Sequence, residues 1–348
     1  MPGPEFFIAL ASMPKAELHL HMEGSLAPST VVELAGAYGD VLSEPAVLER
    51  YRVNDFGGFI EAYKWVTSYL RAPQDYALAA SRLAERLLAQ NVVYAEVTLS
   101  VGVMLLRKQD VEANFRAIRD AVAPFEKRGL RLQWIFDTVR QFGPSAAKDV
   151  ARHAIELRRE GVIAFGMGGD ELSVATSQFR DVYTLVAANG LHRVAHAGEI
   201  GGPESVREAV EQLGAERIGH GIAAVKDPYL MNWLAKRAVP LEVCPVSNLR
   251  TGALARLLGR EPESVSLRDH PVPSLLRSGI PVTLGTDDPA MFETGLQREY
   301  SGLADMGLTQ GEILSVAEAG FSAAFLSAAE KARLIAAFRG GAAALGLM

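Results

Sequence analysis

The sequence predicts an α/β protein, a single (β/α)8 barrel with its active site at the C-terminal ends of the strands. Eight short apolar segments alternate with amphipathic segments, which indicates parallel strands joined by helices. The 348 residues suit one barrel domain that covers the whole chain, 1–348. Histidine-rich and acidic motifs follow the predicted strands, at the end where such barrels place catalytic residues.

The predicted strands cover, in chain order, 16–21, 92–99, 130–139, 162–166, 191–196, 216–220, 240–244 and 281–286. The predicted helices between them include 74–90, 111–128, 145–159, 203–213 and 227–237, where apolar residues recur at helical spacing. A doubly wound open sheet is the structural alternative. That fold would need a glycine-rich phosphate-binding turn after the first strand, where this chain has two histidines.

Composition and charge argue against several classes of function. A hydrophobic fraction of 49% and a charged fraction of 22% are typical of a globular enzyme. The net charge is -6 without a basic run, so we expect no nucleic-acid partner. We find no apolar stretch of membrane-spanning length and no secretory signal, and therefore expect a cytoplasmic protein without membrane contact. The single cysteine, Cys244, excludes an intramolecular disulfide, and no oligomeric state is predicted.

A metal site is predicted from two histidines at the end of the first strand. His19 and His21 are two residues apart, so on a strand their side chains point the same way and can hold one ion. One packed and one solvated histidine would give the same pattern. His196 after strand five adds a third nitrogen, and Asp287 after strand eight adds a carboxylate oxygen. Three or four such ligands suit one catalytic Zn2+, which lowers the pKa of bound water to about 7.

Three more polar residues at strand ends are candidates for acid–base chemistry and substrate binding. His220 is predicted to act as general base and to orient the water, with a core histidine bonded to a carbonyl as the alternative. Glu199 could donate a proton to a ring nitrogen of the substrate, or could be an exposed loop residue. Adjacent acids point apart, so we expect Asp287 on the metal and Asp288 on the substrate. Two exposed turn acids are the alternative.

Six motifs in chain order together resemble the adenosine deaminase family of the amidohydrolase superfamily, nucleoside-acting branch. They are MPKAELHLHMEGS (13–25), GGDE (168–171), HAGE (196–199), RIGHG (217–221), CPVSN (244–248) and TDDP (286–289). The resemblance covers nearly the whole chain. It implies a TIM barrel with one zinc and a hydrolase that acts on a cyclic amidine C–N bond. It also implies the same four zinc ligands: His19, His21, His196 and Asp287.

The resemblance assigns a role to each remaining site residue. His220 would activate and orient the water, and Glu199 would protonate purine N1 as hydroxide attacks C6. Asp288 would hydrogen-bond N7, and the backbone N–H of Gly169 would meet N3. A zinc hydrolase of another amide or lactone, or a non-enzymatic binding protein, is the alternative on this fold. Glu199 and Asp288 argue against the first, and the intact ligand set argues against the second.

The implied partners are a purine nucleoside and water. We expect adenosine and 2′-deoxyadenosine to be converted to inosine and 2′-deoxyinosine, because GDE at 169–171 resembles the nucleoside-acting branch. The alternative is 6-aminodeoxyfutalosine, a nucleoside of menaquinone biosynthesis. It is considered because Glu23 stands where many family members have an aspartate near the ribose 5′-hydroxyl, which leaves room for a 5′ substituent. Free adenine is the least favoured substrate.

By analogy with the family, residues 54–70 would form a lid over the site. Phe59 and Trp65 are its possible substrate contacts, although an aromatic stripe can equally be core packing. The stretch 254–267 is expected to be a solvated surface insertion. Three histidines off the motifs are expected to be structural or surface residues: His153, His192 and His270.

Overall fold

The computed structural model describes residues 2–53 and 55–347, which form a nearly closed (β/α)8 TIM barrel. Its eight parallel strands, each hydrogen-bonded to the next, are β1 (Lys15–His21), β2 (Val92–Leu99), β3 (Arg131–Val139), β4 (Val162–Gly168), β5 (His192–Ala197), β6 (Arg217–His220), β7 (Leu241–Val243) and β8 (Val282–Leu284). A bridge between Leu20 and Asp287 joins the two edges. The predicted fold class is confirmed.

Helices follow the strands on the outside of the barrel. They are α1 (Pro4–Ser12), α2 (Pro28–Ala37), α3 (Glu44–Tyr51), α4 (Phe56–Thr67), α5 (Pro73–Ala89), α6 (Val101–Leu106), α7 (Val111–Glu126), α8 (Gly143–Glu156), α9 (Arg180–Ala188), α10 (Pro203–Leu213), α11 (Pro228–Arg237), α12 (Pro245–Arg250), α13 (Ala253–Leu258), α14 (Val272–Arg277), α15 (Leu296–Asp305), α16 (Gln310–Ala323) and α17 (Ala328–Ala344). Within the described part of the chain, none has the length and hydropathy needed to cross a membrane.

The predicted strands occur where expected, and the differences lie at their ends. β4 continues to Gly168, two residues beyond the prediction, whereas β8 stops at Leu284, two residues before it. The earlier end of β8 has a local cause, because the N–H of Thr286 donates at 3.1 Å to the side-chain Oε1 of Glu17 in β1 and not to a backbone carbonyl. The regular ladder is thereby interrupted at Thr286, and the backbone of Asp287 then bonds to β1 again.

The predicted surface insertion at 254–267 is wrong in its first part. Leu254 and Leu257 in α13 are buried in the core, while 258–264 is exposed. The buried leucines lie three residues apart and share one face of the short helix, so this segment contributes packing as well as surface.

Candidate active site

The four predicted metal ligands meet at the C-terminal end of the barrel. One possible ligand atom from each of His19, His21, His196 and Asp287 lies within 4.8 Å of the others. The Nε2 atom of His21 is 3.3 Å from His196 Nε2 and 3.3 Å from Asp287 Oδ1. His19 Nε2 is 3.5 Å from the same carboxylate oxygen. Three nitrogens and one oxygen therefore surround a single point, although the ligands come from β1, β5 and the end of β8.

The hydrogen bonds of these histidines fit a metal site. His19 Nδ1 lies 2.9 Å from Glu242 Oε2, and His196 Nδ1 lies 3.1 Å from the carbonyl oxygen of Met167. Both acceptors favour a proton on Nδ1 and leave the Nε2 lone pair directed at the shared point. His19 Nε2 is buried without a hydrogen-bond partner, which is costly unless a cation is bound there. The donor set thus fits a divalent metal.

Glu242 in β7 is a site residue that the sequence analysis missed. Besides His19 it accepts a hydrogen bond from Arg217, which also pairs with Glu96 inside the barrel. Burial alone would raise the pKa of Glu242, but Arg217 and His19 hold it below its ordinary value. The ionised carboxylate can therefore orient His19. A glutamate inside an otherwise apolar strand is the signal that could have identified it.

His220 and Asp287 both have a backbone conformation that is unusual for residues with a side chain. Each has a φ of 62°, in the left-handed region; His220 is the last residue of β6, and Asp287 lies three residues after the end of β8. His220 Nε2 lies 3.9 Å from Asp287 Oδ2 and 3.6 Å from Glu199 Oε2. Ser247 donates a hydrogen bond of 2.6 Å to Asp287 Oδ2. His220 consequently faces the metal-ligand cluster on one side and the predicted proton donor on the other.

Glu199 is buried beside His220 and favours the protonated state. Burial raises its pKa to about 8, and the nearby carboxylates of Asp287 and Glu171 add to this shift. Thr251 Oγ1 lies 3.4 Å from its Oε1. At neutral pH the side chain can therefore hold the proton that the predicted reaction requires.

Glu171 fixes the loop that carries Glu199. Its carboxylate accepts hydrogen bonds from four consecutive backbone N–H groups, those of residues 198–201, and from the hydroxyl of Ser205. Charge-assisted bonds of this kind are about twice as strong as neutral ones. Glu171 belongs to the GGDE motif, but the sequence alone does not assign it this role.

Asp287 and Asp288 both line the cavity, so they do not point to opposite faces as the alternation of a regular strand would require. Asp288 is buried, and its Oδ1 has no hydrogen-bond partner. Burial and the neighbouring Asp287 raise the pKa of Asp288 well above its usual range, which favours the protonated carboxyl. A Cβ atom on Gly24 would lie 1.7 Å from Asp288 Oδ1, which explains why this turn requires glycine.

A cavity of about 780 Å3, part of it open to solvent, joins these groups. The inner end is lined by His21, His196, Glu199, His220, Asp287 and Asp288. The outer part is lined mainly by apolar and aromatic side chains: Phe56, Phe59, Ile60, Tyr63, Val103, Val139 and Phe142. Gly168 and Gly169 form a wall of the same cavity. The metal cluster, the proton donor and Asp288 thus face one space of the size that binds small molecules.

Comparison with known proteins places this site in a family. The sequence model of adenosine deaminase matches residues 14–339. The chain belongs to the adenosine deaminase family. Aminodeoxyfutalosine deaminase of Streptomyces coelicolor is 40% identical over 332 residues, covering 93% of this chain and 83% of that protein. An adenine deaminase of Chelativorans sp. is 34% identical over 324 residues, covering 92% and 97%.

A solved structure of a relative supports the same assignment. The crystal structure of adenine deaminase from Arthrobacter aurescens matches with a TM-score of 0.86 and 29% identity, covering 94% of this chain and 99% of that one. These relatives are deaminases, and this chain is accordingly a hydrolase of the deaminase class that acts on a C–N bond.

Within this deaminase, Glu23 was predicted to bind the substrate, but it is not among the residues that line the cavity. Its carboxylate lies behind the cavity wall, where Oε1 accepts the Ser100 N–H at 2.9 Å. Its Oε2 accepts the Tyr63 hydroxyl at 3.3 Å, and Tyr63 also bonds Ser100 Oγ at 2.8 Å. Tyr63 and Ser100 line the cavity. Glu23 can therefore influence a ligand by orienting these two residues.

The two predicted lid contacts lie on different faces of α4. Phe59 lines the cavity and packs against Phe292, with ring centroids 5.3 Å apart. Trp65 lies on another face of the helix, beneath the Arg50 guanidinium at 5.1 Å, and borders a surface groove instead. Of the predicted lid, Asn54 lies outside the described residues.

The three histidines off the motifs also differ from one another. His153 in α8 and His192 at the start of β5 are half-buried, and His192 stacks on Phe325 at 3.9 Å. His270, by contrast, is buried and connects to the active site through Asn248.

Proposed function

We propose that this protein catalyses the zinc-dependent hydrolytic deamination of 6-aminodeoxyfutalosine, a 5′-substituted 6-aminopurine nucleoside, with release of ammonia. The observation that carries the proposal is the lining of the cavity. Metal ligands and Asp288 line one part of it, Gly168 and Gly169 form a wall, and aromatic side chains line the rest. Such a lining suits a purine nucleoside that carries an aryl 5′ group.

Similarity to other proteins supports this substrate more than the adenosine expected from the sequence. The Streptomyces coelicolor protein named aminodeoxyfutalosine deaminase shares 40% of aligned residues, against 34% for the adenine deaminase of Chelativorans sp.. The position of Glu23 agrees with this choice. Its carboxylate already accepts hydrogen bonds from Ser100 and Tyr63, and is therefore not directed at the 5′-hydroxyl that adenosine would present.

Free adenine is the second candidate, because adenine deaminases are among the relatives in both sequence and structure. A base without a sugar would occupy only the inner end of the cavity. The rings of Phe56, Phe59 and Phe142 would then remain without a ligand. Aromatic side chains of this kind favour a substrate that carries an aryl substituent.

The residues that face the cavity would perform the reaction in the following way. Protonated Glu199 donates its proton to N1, which draws electrons from C6 and prepares it for nucleophilic addition. Protonated Asp288 donates a hydrogen bond to N7, and the N–H of Gly169 meets N3. When bound, zinc supplies the Lewis acidity that makes hydroxide available from water at neutral pH. His220 orients the oxygen toward C6. The proton that the water loses passes to the amino nitrogen, which leaves as ammonia, and the hydroxyl proton of the C6 adduct returns to Glu199, so that the 6-oxopurine remains.

Ammonia release by zinc-loaded protein tests the proposal. We would measure kcat/KM for 6-aminodeoxyfutalosine, adenosine, 2′-deoxyadenosine and adenine side by side, with Glu199→Gln as the inactive control. We expect 6-aminodeoxyfutalosine to exceed each of the others by at least about tenfold, because a buried apolar group contributes about 1.5–3 kcal/mol. A preference for adenine would refute the cavity argument, and no reaction with any of the four would refute deamination of these purines.

A further inference from the structure

A buried chain of polar groups runs from His220 away from the cavity. Asn248, in α12, lies with its Nδ2 atom 3.0 Å from His220 Nδ1. His270 Nε2 lies 3.2 Å from Asn248 Oδ1, and the backbone N–H of Val272 lies 3.3 Å from His270 Nδ1. Asn248 and His270 are only 0% and 3% exposed, so solvent does not compete for these bonds. Neither residue has a part in the reaction described above.

The direction of each bond in this chain is determined at its far end. The backbone nitrogen of Val272 can only donate, so His270 Nδ1 accepts and carries no proton. The proton of His270 is then on Nε2 and is donated to Asn248 Oδ1. The amide of Asn248 must consequently present its NH2 group to His220, whose Nδ1 accepts. The remaining proton of His220 therefore lies on Nε2, the nitrogen that faces the cavity.

We propose that Asn248 and His270 are positioning residues that hold His220 as its Nε2–H tautomer, so that His220 donates a hydrogen bond to the attacking oxygen. A nitrogen that already carries a proton has no lone pair with which to accept another. His220 would thus perform the orienting part of the role predicted from the sequence and not the general-base part. The tautomer of His220 follows from the hydrogen bonds alone; only the identification of its acceptor as the attacking oxygen rests on the proposed function.

The surroundings of His220 Nε2 suit a donor. Glu199 Oε2 lies 3.6 Å and Asp287 Oδ2 3.9 Å from it, and the carboxylate of Asp287 only accepts hydrogen bonds. Both distances exceed a direct hydrogen bond, so a proton on Nε2 is not already donated to either carboxyl. An Nε2–H group placed there would fix the position of the attacking oxygen relative to the substrate.

The variant Asn248→Asp distinguishes the two roles of His220, because a donor and a base predict opposite changes in kcat. A carboxylate only accepts, so in this variant the neutral imidazole of His220 carries its proton on Nδ1 and leaves Nε2 bare. If His220 acts as a donor, kcat falls by on the order of 10²-fold or more while the metal content is unchanged. If His220 acts as a base, the aspartate strengthens that base, and kcat stays the same or rises. The second outcome would overturn the proposal.

Variants of His270 separate the direction of hydrogen bonding from simple packing. Leucine provides no donor for Asn248 Oδ1, which frees the amide to rotate, and we expect kcat to fall with little change in KM. His270→Gln retains an NH2 donor that reaches the same oxygen, and we expect it to restore most of the lost rate. Equal kcat in the leucine and parent proteins, with matching melting temperatures, would contradict a positioning role.

Nuclear magnetic resonance of protein labelled with 15N-histidine reads the tautomer without turnover. The seven histidines give few side-chain signals, and those of His220 are identified by their absence from His220→Gln. We expect a protonated Nε2 in the parent and a protonated Nδ1 in Asn248→Asp. A protonated Nδ1 in the parent would overturn the proposal even if the variants failed to fold. Because no substrate is present, this outcome is independent of the proposed deaminase activity.

Discussion

Replacement of Glu171 by glutamine tests whether one carboxylate holds the loop that presents Glu199. The change preserves the shape of the side chain and removes its charge. In the native protein Oε2 accepts the backbone N–H groups of Glu199, Ile200 and Gly201 at 3.2, 3.0 and 2.9 Å. Oε1 accepts the N–H of Gly198 and the hydroxyl of Ser205. A glutamine has one oxygen, so its NH2 group must face donors on one of these two sides.

The size of the effect follows from these contacts. An unsatisfied buried N–H costs about 1–3 kcal/mol, and the bonds that remain lose their charge assistance. With one or two donors unsatisfied, we expect Glu171→Gln to lower the free energy of unfolding by about 3 kcal/mol. At about 2.1 cal/mol/K per residue, a chain of 348 residues loses about 4 °C in Tm for that change. The loop shift should also lower kcat by up to about 10²-fold, because it displaces Glu199 from the substrate.

Thermal unfolding and steady-state deamination would be measured on the same preparations of Glu171→Gln and its control. Glu204→Gln is the matched control, since Glu204 is exposed in the same segment and the chemical change is identical. We expect the control to stay within about 0.5 kcal/mol of the parent. If Glu171→Gln kept both the parent Tm within about 1 °C and the parent kcat, the carboxylate would not be what holds the loop.

Three more predictions concern the metal, the proton donor and the lid. Asp287→Ala should lose bound metal as well as activity, and metal analysis that found a full equivalent would contradict its assignment as a ligand. Glu199→Gln should keep its metal but lose about 10²–10⁴-fold in kcat. In the parent, the carboxyl of Glu199 must be protonated to react, and its pKa is raised from 4.5 to about 8 without metal. A bound cation lowers that value, so kcat/KM should fall with rising pH through a pKa between these two values, and a pH profile without such a limb would refute the role. Phe59→Ala should reduce kcat/KM for the 5′-substituted nucleoside more than for adenine, whereas Trp65→Ala should affect both equally, as substrate competition would show.

The barrel and the metal cluster could be predicted because their signals are local. Each strand is a short apolar run, and the ligands follow directly at the strand ends, where the fold itself brings them together. His19 and His21 share a strand face by simple alternation. The residues that orient these groups could not be found in this way. Glu242 and Asn248 act on partners more than twenty residues away in sequence, so only the packed barrel reveals the contact.

The spacing of the aromatic residues along the predicted lid indicates which of them share a face of α4. On a helix, residues three and four apart share a face, whereas residues six apart do not. Phe56, Phe59 and Tyr63 have this spacing, and all three line the cavity. Trp65 is six residues after Phe59 and lies on another face of α4, against Arg50. Spacing within the aromatic stripe would therefore have separated the two predicted contacts.

The left-handed residues at the strand ends explain how adjacent acids serve two ligands. In a regular strand Asp287 and Asp288 would point to opposite faces of the sheet, and one of them would leave the barrel interior. The φ of 62° at Asp287 turns the chain so that Asp287 faces His21 while Asp288 lines the substrate cavity below Gly24. Such a conformation costs about 1–3 kcal/mol in a residue with a side chain. The Ser247 hydrogen bond to Asp287 and the edge bonds of β1 offset this cost, so the strain persists where the chemistry requires two differently directed carboxyls.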